Sequence, residues 1–394
     1  MPVITRVHSV AEARERARRV LPRALFHYID GGAEDEVTMR DNEQAFRDVA
    51  FRPRMGTGVA RPDLATTVLG TPLSFPLLLA PCGLVSVMHP DGAIGIARAA
   101  SAAGTLSVCS TVAGNPLEQV AQAVSTPKWF QLYAPSRAEA LPIIDRAQAA
   151  GFGALVITID TPALGNRERD VRNGVAPPLR INAQTVLKLA PQVLARPRWL
   201  GRTAAHRLEV LRAERAAATN RTPADVTPPP EPGAQRRPRE ISMFHSPFTW
   251  DDIAWARTRW SGPLLVKGVL SGDDARRAVD AGCDSVIVSN HGGRQLDSAP
   301  ATMRVLPDVV DAVGNRIEVL LDGGVRRGGD VLKAVAVGAR AVLVGRPYLY
   351  GLAIAGESGV RRILEIFETE MIRTMALLGC HSVAELDRSW LDRA

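Results

Sequence analysis

Short apolar runs alternate with longer amphipathic segments along most of the chain. Eight runs rich in Val, Leu and Ile are bounded by Gly, Pro or Ser, and a segment with helical periodicity follows each of them. Because these runs are hydrophobic at nearly every position, they are typical of strands buried on both faces of a parallel sheet. The runs occupy residues 76–83, 105–111, 129–134, 154–161, 264–270, 285–292, 318–324 and 341–347.

The segments between the runs carry the signals of helix ends. Residues 136–151 and 271–282, for example, begin with a serine that can cap a helix and end in glycine. Eight strand-and-helix units in succession predict an α/β protein with a TIM-type (β/α)8 barrel. A chain of 394 residues is long for one domain, but barrels with insertions reach this length.

Two regions fall outside this alternation. Residues 1–75 show helical periodicity, and we expect an N-terminal helical extension that covers the amino-terminal side of the barrel formed by 76–394. Residues 171–248 form a long insertion between the fourth and fifth strands. Because its Pro/Arg-rich run, 227–240, has too little apolar surface to order itself, we expect part of the insertion to be mobile.

The charge of the chain is concentrated in that insertion. The formal net charge is +7, yet residues 172–239 alone hold 13 Lys and Arg against 4 Asp and Glu. Basic residues confined to one insertion argue against a nucleic-acid-binding fold. The four cysteines show neither a CxxC pair nor metal-ligand spacing, so we expect reduced thiols, a cytoplasmic location and no metal site. No apolar stretch approaches the roughly 20 residues of a membrane-spanning helix.

Polar residues follow the last two strands at the point where each strand ends. In barrel enzymes the catalytic groups lie at these carboxyl ends. Strand seven ends in DGGVR, residues 322–326, and strand eight ends in Gly345 and Arg346. Glycines let backbone N–H groups approach an anion and arginines add charge, so the two strand ends predict a phosphate site. The alternative is that the glycines only permit tight turns.

Strand six ends in SNHGGRQLD, residues 289–297, and supplies a candidate base. His291 follows a buried strand and stands three residues before Arg294, which places a titratable imidazole beside a fixed cation. Arg294 and Arg167, the latter beyond strand four, would hold a carboxylate. The alternative for Arg167 is a solvated surface charge. Lys267 interrupts the apolar strand five and needs an anionic partner, either a bound group or an aspartate within the barrel.

These motifs resemble the FMN-dependent 2-hydroxy acid oxidase/dehydrogenase family, which includes glycolate oxidase, lactate oxidase and mandelate dehydrogenase. SNHGGRQLD, LLDGGVRRGGDVLKA and LVGRP carry the resemblance, which covers nearly the whole chain except the insertion. It implies an enzyme with FMN bound at the mouth of the barrel. The residues that the resemblance assigns to FMN are Ala80, Pro81, Cys82, Ser110, Gln131, Thr158, Lys267, Ser289, Asp322, Gly324, Arg326, Gly345 and Arg346.

The resemblance also implies roles at the substrate. Arg167 and Arg294 would hold the carboxylate, and the hydroxyls of Tyr28 and Tyr133 would lie beside the carboxylate and the 2-hydroxyl. His291 would remove a proton, paired with Asp160, while two electrons pass to flavin N5, as a hydride or after a carbanion forms. The electron acceptor that follows, a quinone, oxygen or another compound, stays open.

Two departures from the short-chain glycolate oxidisers bear on the substrate. Val112 stands where they carry a bulky aromatic residue. Gly83 stands where many members have alanine, and mandelate dehydrogenase resembles this chain in having glycine there. We therefore expect a preference for aryl or long-chain 2-hydroxy acids. In the mandelate dehydrogenase branch the insertion attaches the protein to a membrane and a quinone takes the electrons, and family members often form tetramers.

Three alternatives stay open at this point. Trp199 and Leu200 lie among arginines of the insertion and would let residues 172–239 contact an anionic bilayer at the inner face of the cell membrane, unless the insertion is only a solvated loop. A second enzyme hypothesis is a mycofactocin-type maturation oxidase that acts on a peptide-derived cofactor. A third is a flavin-binding barrel without catalysis.

Overall fold

Eight parallel strands form the central sheet of the computed structural model, which describes residues 3–175, 183–219 and 247–392. From the second to the eighth, each strand pairs with the next one along the chain, and the eighth pairs with the first. A parallel bridge between Leu79 and Ser107 joins the first strand to the second. The predicted (β/α)8 barrel is thereby confirmed. Its strands are β4 (Leu77–Leu79), β5 (Val108–Ser110), β6 (Trp129–Leu132), β7 (Ala154–Thr158), β8 (Leu264–Val269), β9 (Ser285–Val288), β10 (Glu318–Leu321) and β11 (Ala341–Val344).

The strands alternate between the barrel interior and the layer of helices outside it. Leu78, Val156 and Leu320 belong to the interior cluster, whereas the next residues along each strand, such as Ile157 and Leu321, pack against the helices. Both faces are apolar because both are covered, which explains why each strand appears as a continuous hydrophobic run. The interior is therefore a packed core of aliphatic side chains.

Helices of the barrel layer follow the strands and begin where the capping signals predicted them. The Ser136 hydroxyl accepts a hydrogen bond from the backbone N–H of Glu139, and the Ser271 hydroxyl accepts one from that of Asp274. These helices are α4 (Val85–Met88), α5 (Gly92–Ala102), α6 (Leu117–Gln122), α7 (Arg137–Ala149), α11 (Trp250–Arg257), α12 (Gly272–Asp280), α13 (Thr302–Val313), α14 (Gly328–Val337) and α15 (Arg346–Leu378), the last with a break at Ala355 and Gly356.

The N-terminal helices are α1 (Val10–Val20), α2 (Arg23–Asp30) and α3 (Val37–Arg47). The expectation that this region covers the amino-terminal side of the barrel is wrong for α2 and α3. The Asn42 side chain of α3 exchanges amide hydrogen bonds of 2.8 Å with Asn290, beyond the carboxyl end of β9. The Asp297 carboxylate accepts from the backbone N–H of Thr38 at 2.9 Å. Both contacts bind α3 to the mouth, where the polar strand ends lie.

A hairpin of β2 (Thr66–Val68) and β3 (Thr71–Leu73) closes the amino-terminal side instead. Val68 and Leu73 join the interior cluster, and the Leu69 N–H donates to Glu318 at the start of β10. A second two-stranded sheet pairs β1 (Ala50–Phe51) with β12 (Leu391–Asp392). Short 3-10 helices span Val3–Arg6, Val383–Glu385 and Arg388–Trp390.

The insertion after β7 contributes α8 (Glu168–Asn173), α9 (Ala183–Leu194) and α10 (Pro197–Thr219). Trp199 is only 8% exposed, and its indole N–H donates to the carbonyl of Val87, while Leu200 packs against the main core. The expectation that Trp199 and Leu200 face a bilayer is therefore wrong, because both side chains dock α10 onto the barrel. The Pro/Arg-rich run 227–240, expected to be mobile, lies outside the described residues.

Candidate active site

One polar ring lies on top of the apolar barrel interior. Every second residue of a strand points into the barrel, and the last such position of each strand lies at the carboxyl end. Most of these last positions carry polar side chains, whereas the positions below them are aliphatic. Ser110 donates to Gln131 Oε1 at 2.8 Å, and Gln131 Nε2 donates to Thr158 Oγ1 at 3.0 Å. Lys267 Nζ lies 2.7 Å from Ser289 Oγ and 3.1 Å from Asp322 Oδ2. The two remaining strands place the non-polar residues Ala80 and Gly345 at this level, and both line the pocket.

Lys267 has its anionic partner within the protein. Burial disfavours the ammonium, but the charges of Asp322 and Asp160 outweigh it and raise the pKa of Lys267. Of the two partners expected from the sequence, the structure contains the aspartate. Lys267 therefore remains a cation facing the pocket, at a cost in desolvation that Asp322 offsets.

His291 is held between a carboxylate and a phenol. Its Nδ1 lies 3.0 Å from Asp160 Oδ1, and its Nε2 lies 3.2 Å from the Tyr133 hydroxyl. Burial lowers the pKa of His291 below its usual value, although Asp160 opposes the shift. Burial would raise the pKa of Asp160, but the charges of His291 and Lys267 lower it overall. At neutral pH the pair therefore holds a neutral imidazole beside an ionised carboxylate, which is the state a general base needs.

A left-handed turn after β9 places His291 in this position. His291 has φ +59°, followed by +65° at Gly292 and +71° at Gly293. A Cβ on Gly293 would lie 2.6 Å from the backbone nitrogen of Met39, so only glycine allows α3 to pack this closely. The GG pair thus turns the imidazole into the pocket and seats α3 on the barrel mouth.

Arg167 and Arg294 lie at the same end of the pocket as His291. Arg294 Nη1 donates to the carbonyls of Tyr28 and Gly31 at 2.7 and 2.8 Å. Arg167 Nη2 donates to Gln295 Oε1 at 3.3 Å. Arg167 is therefore a pocket residue, and the alternative of a solvated surface charge does not describe it.

The two guanidiniums lack a carboxylate partner. Within the described ranges, none of the ion pairs shorter than 4 Å includes Arg167, Arg294 or Arg346. Burial and the charge of Arg294 lower the pKa of Arg167 to about 10, which leaves it charged at neutral pH. Burial raises the pKa of both Tyr28 and Tyr133, so both phenols stay protonated and can donate hydrogen bonds. This end of the pocket is suited to an anion with further acceptor oxygens.

The DGGVR loop and the start of α15 line another part of the same pocket, and Arg346 shares the Gly31 carbonyl with Arg294. Arg346 donates to the carbonyls of Gly292 and Gly31, and burial with the charges of Arg294 and Arg326 lowers its pKa to about 10. Arg346 Nε and Asp322 Oδ1 are buried without a hydrogen-bond partner among the described residues. Such orphaned groups are rare in native proteins and indicate that a bound molecule supplies the missing partners.

Gly83 and Val112 form part of the wall near Tyr28. A Cβ on Gly83 would lie 2.9 Å from Val112 Cγ2, and 3.6 Å from the Tyr28 hydroxyl. Pro81 and Cys82 line the same wall, and burial raises the pKa of the Cys82 thiol. The structure thus brings the residues predicted from the sequence to one pocket or to hydrogen-bond contact with its lining, except Thr158, which contacts the lining residue Ser110 only through Gln131.

Sequence reasoning assigned no role to Gln295, which connects two of the loops. Its Nε2 donates to the carbonyls of Asp160 and Ala163, both at 2.8 Å, and its Oε1 accepts from Arg167. The loop that carries His291 is thereby fixed to the loop that carries Asp160. The available signal was the position of Gln295 inside SNHGGRQLD, directly after a site arginine.

Comparisons with known proteins identify the family of this chain and its relatives. The family model "FMN-dependent dehydrogenase" matches residues 17–393. A peroxisomal (S)-2-hydroxyacid oxidase of Arabidopsis thaliana is 38% identical over 382 residues, or 97% of this chain and 95% of that protein. A pre-mycofactocin synthase of Mycobacterium tuberculosis is 40% identical, covering 96% of this chain and 92% of that protein. The crystal structure of the monotopic membrane protein (S)-mandelate dehydrogenase aligns with a TM-score of 0.85 at 35% identity, over 99% of this chain and 100% of that chain.

Proposed function

Because the chain belongs to the FMN-dependent dehydrogenase family, we propose that it oxidises an L-2-hydroxy acid to the corresponding 2-oxo acid. One observation carries the proposal: the neutral imidazole of His291 shares a pocket with two guanidiniums that lack a carboxylate partner. A 2-hydroxy acid presents a carboxylate and a proton to be removed on adjacent carbons. A base beside an anion clamp matches that spacing.

The pocket residues fit FMN, the family's cofactor. The orphaned Arg346 Nε and Asp322 Oδ1 supply a donor for phosphate and an acceptor for a ribityl hydroxyl. Arg326, Gly324 and Gly345 would complete the phosphate end. Ser110, Gln131, Thr158, Lys267 and Ser289 would face the ring, with Ala80, Pro81 and Cys82 beside it. When bound, FMN accepts the two electrons that leave the substrate.

The residues at the substrate end have separable roles. Arg167 and Arg294 would bind the carboxylate, and the phenols of Tyr28 and Tyr133 would donate to the carboxylate and to the 2-hydroxyl oxygen. His291 would accept the substrate proton at Nε2, the nitrogen that faces Tyr133. Asp160, at Nδ1, would stabilise the resulting imidazolium and hold the tautomer whose Nε2 is free.

The wall formed by Gly83 and Val112 supports a preference for bulky substrates. Gly83 and Val112 line the pocket with Tyr28 and are both small, so an aryl or long-chain substituent on C2 would meet less bulk there than beside an aromatic side chain. We expect a higher kcat/KM for mandelate and phenyllactate than for glycolate. The reverse order would contradict this assignment of the wall.

Anaerobic mixing with a panel of 2-hydroxy acids tests the proposal directly. Bleaching of the yellow flavin by one of the acids demonstrates oxidation, and the L-isomer should react while the D-isomer does not. Persistence of the colour with every acid would favour a flavin-binding barrel without catalysis. The electron acceptor then follows from adding oxygen or a quinone analogue to the reduced protein.

A peptide-derived substrate is the second candidate, because the pre-mycofactocin synthase of Mycobacterium tuberculosis is as similar as the hydroxy acid oxidase. The intact pair of Arg167 and Arg294 favours a small carboxylate. Bleaching by a modified peptide alone, with no response to any free 2-hydroxy acid, would favour this second candidate.

We also propose that the insertion contacts an anionic membrane at the inner face of the cell, through α8 to α10. Their outer surface carries large apolar side chains that are 52% to 76% exposed: Val171, Val186, Leu187, Leu194 and Leu208. Exposed Lys188 and Arg198 lie on the same helices. Apolar residues beside basic ones suit an interfacial helix on anionic lipid. None of the described helices is long and apolar enough to cross a bilayer.

Sedimentation with vesicles that contain phosphatidylglycerol tests this surface. The double variant Leu187→Asp/Leu194→Asp should lose binding, whereas the control Leu377→Asp, which changes a 69% exposed residue on α15, should retain it. Equal binding by both variants, or no binding by the parent at low salt, would contradict the proposal. We further propose a homo-oligomer, which sedimentation velocity without lipid would test.

A further inference from the structure

Arg326, which would bind the phosphate, is paired with a carboxylate that the proposed function does not use. Glu43 lies on α3, one helical turn after Met39, whose sulfur contacts Arg346. Glu43 Oε1 accepts from Arg326, at 3.2 Å from Nε and 3.1 Å from Nη2. A negative charge beside an arginine that would bind a phosphate is unfavourable for the phosphate.

Arg326 lies between two cavities. It lines the pocket of the polar ring and also a separate polar cleft between α1, α3 and α14, as does Gly324. Glu43 lines only the cleft. The Arg326 guanidinium therefore contacts the Glu43 carboxylate on the side of the cleft, and its other side lines the pocket.

The donors of Arg326 are largely occupied. Nη1 donates to the Val325 carbonyl at 3.1 Å, while Nε and Nη2 face Glu43. A phosphate that takes charge-assisted hydrogen bonds from Arg326 must share these donors or displace Glu43. Arg47 Nη2, 3.6 Å from the other Glu43 oxygen, remains as a partner for the displaced carboxylate.

We propose that Glu43 competes with the FMN phosphate for Arg326 and thereby lowers the affinity of the protein for its cofactor. This inference rests on the proposed placement of the phosphate at Arg326 and Arg346. The opposite role is that Glu43 holds Arg326 in a productive orientation for phosphate. The two roles predict opposite signs for the effect of removing the carboxylate.

Titration of apoprotein with FMN and with riboflavin, followed by quenching of flavin fluorescence, distinguishes the roles. Glu43→Gln should lower the Kd for FMN roughly 3- to 10-fold, as for loss of a partly exposed ion pair, and slow FMN release. The Kd for riboflavin, which lacks the phosphate, should not change. The control is Asp41→Asn, which removes the same charge from the same helix where it pairs with Arg304 at 2.8 Å, and FMN affinity should stay at the parent value.

Each other outcome is informative. An unchanged or higher Kd for FMN in Glu43→Gln would overturn the competition, as would an equal gain in Asp41→Asn, which would indicate only long-range charge. If the parent binds riboflavin as tightly as FMN, the phosphate site itself is misplaced and the inference fails with it. If the parent binds FMN more tightly than riboflavin but Glu43→Gln does not lower the Kd for FMN, the proposed phosphate site is retained and only the role of Glu43 is wrong.

Discussion

The two ends of the pocket each present two guanidiniums to an anion, but they hold them differently. Arg167 and Arg294 donate to carbonyl and amide oxygens and form no ion pair within 4 Å among the described residues. At the proposed phosphate site Arg346 is likewise held by carbonyls, one of which it shares with Arg294, whereas Arg326 is paired with Glu43. A substrate carboxylate would therefore meet two arginines without a carboxylate in direct contact, and a cofactor phosphate would meet one such arginine and one that is shared with Glu43. The charge of a site thus depends on what orients its arginines as well as on their number.

The largest effect should come from the one group at the substrate end that moves a proton. His291→Gln removes the base, and the rate of anaerobic flavin reduction should fall by about 10²- to 10⁴-fold. The Kd for FMN should stay near the parent value, because His291 belongs to the other end. Stopped-flow absorbance measures the rate. A variant that reduces its flavin as fast as the parent would end the assignment of His291 as the base.

Replacing one arginine at a time should distinguish the arginines that bind the substrate from those that bind FMN. Arg294→Gln should raise the KM for the hydroxy acid by about 10- to 100-fold, because a charge-assisted contact is lost, with FMN affinity retained. Arg346→Gln should raise the Kd for FMN by a similar factor, and by more than Arg326→Gln does, because Arg326 is already shared with Glu43. Circular dichroism of each apoprotein controls for folding. Equal losses of FMN affinity in the two phosphate-end variants would contradict the comparison.

Much of this architecture could be predicted because it depends on local periodicity. Strands buried on both faces, such as Leu264–Val269, are apolar throughout, and a polar residue such as Lys267 near the end of such a strand marks the mouth. The same alternation that fills the interior with Leu265 places Lys267 above it. The position of the site follows from the strand pattern, whereas the roles of its residues came from the resemblance to a family.

Contacts between distant segments could not be predicted in this way. The amphipathic pattern of α3 shows that one face is buried, but it does not show which end of the barrel covers that face. The answer depends on pairs such as Asn42 with Asn290, 248 residues apart, and Glu43 with Arg326, 283 residues apart. The prediction that Trp199 faces a bilayer was wrong for the same reason, since a Trp among arginines suits both a membrane surface and a docked helix.

A smaller effect should follow from narrowing the substrate end. In Gly83→Ala the new methyl would approach Val112 Cγ2 to 2.9 Å. The Val112 side chain must then shift, and we expect it to shift toward the substituent on C2 of the substrate. The ratio of kcat/KM for mandelate to that for lactate should fall about 10-fold, as for one methyl group in a pocket. FMN affinity should not change. A ratio that stays constant or rises would show that the substituent points elsewhere.

The smallest effect concerns the pH at which the substrate end loses its base. Because burial lowers the pKa of His291 below about 6.5, kcat/KM should be constant near neutral pH and fall as the pH drops through that pKa. Asp160 opposes this shift from 3.0 Å, so Asp160→Asn removes a contribution that raises the pKa. The acid limb should then move to lower pH. Profiles of kcat/KM for the parent and for Asp160→Asn measure the two midpoints, and FMN affinity measured over the same range controls for loss of cofactor. A midpoint that stays in place or moves upward would mean that the titrating group is not the imidazole paired with Asp160.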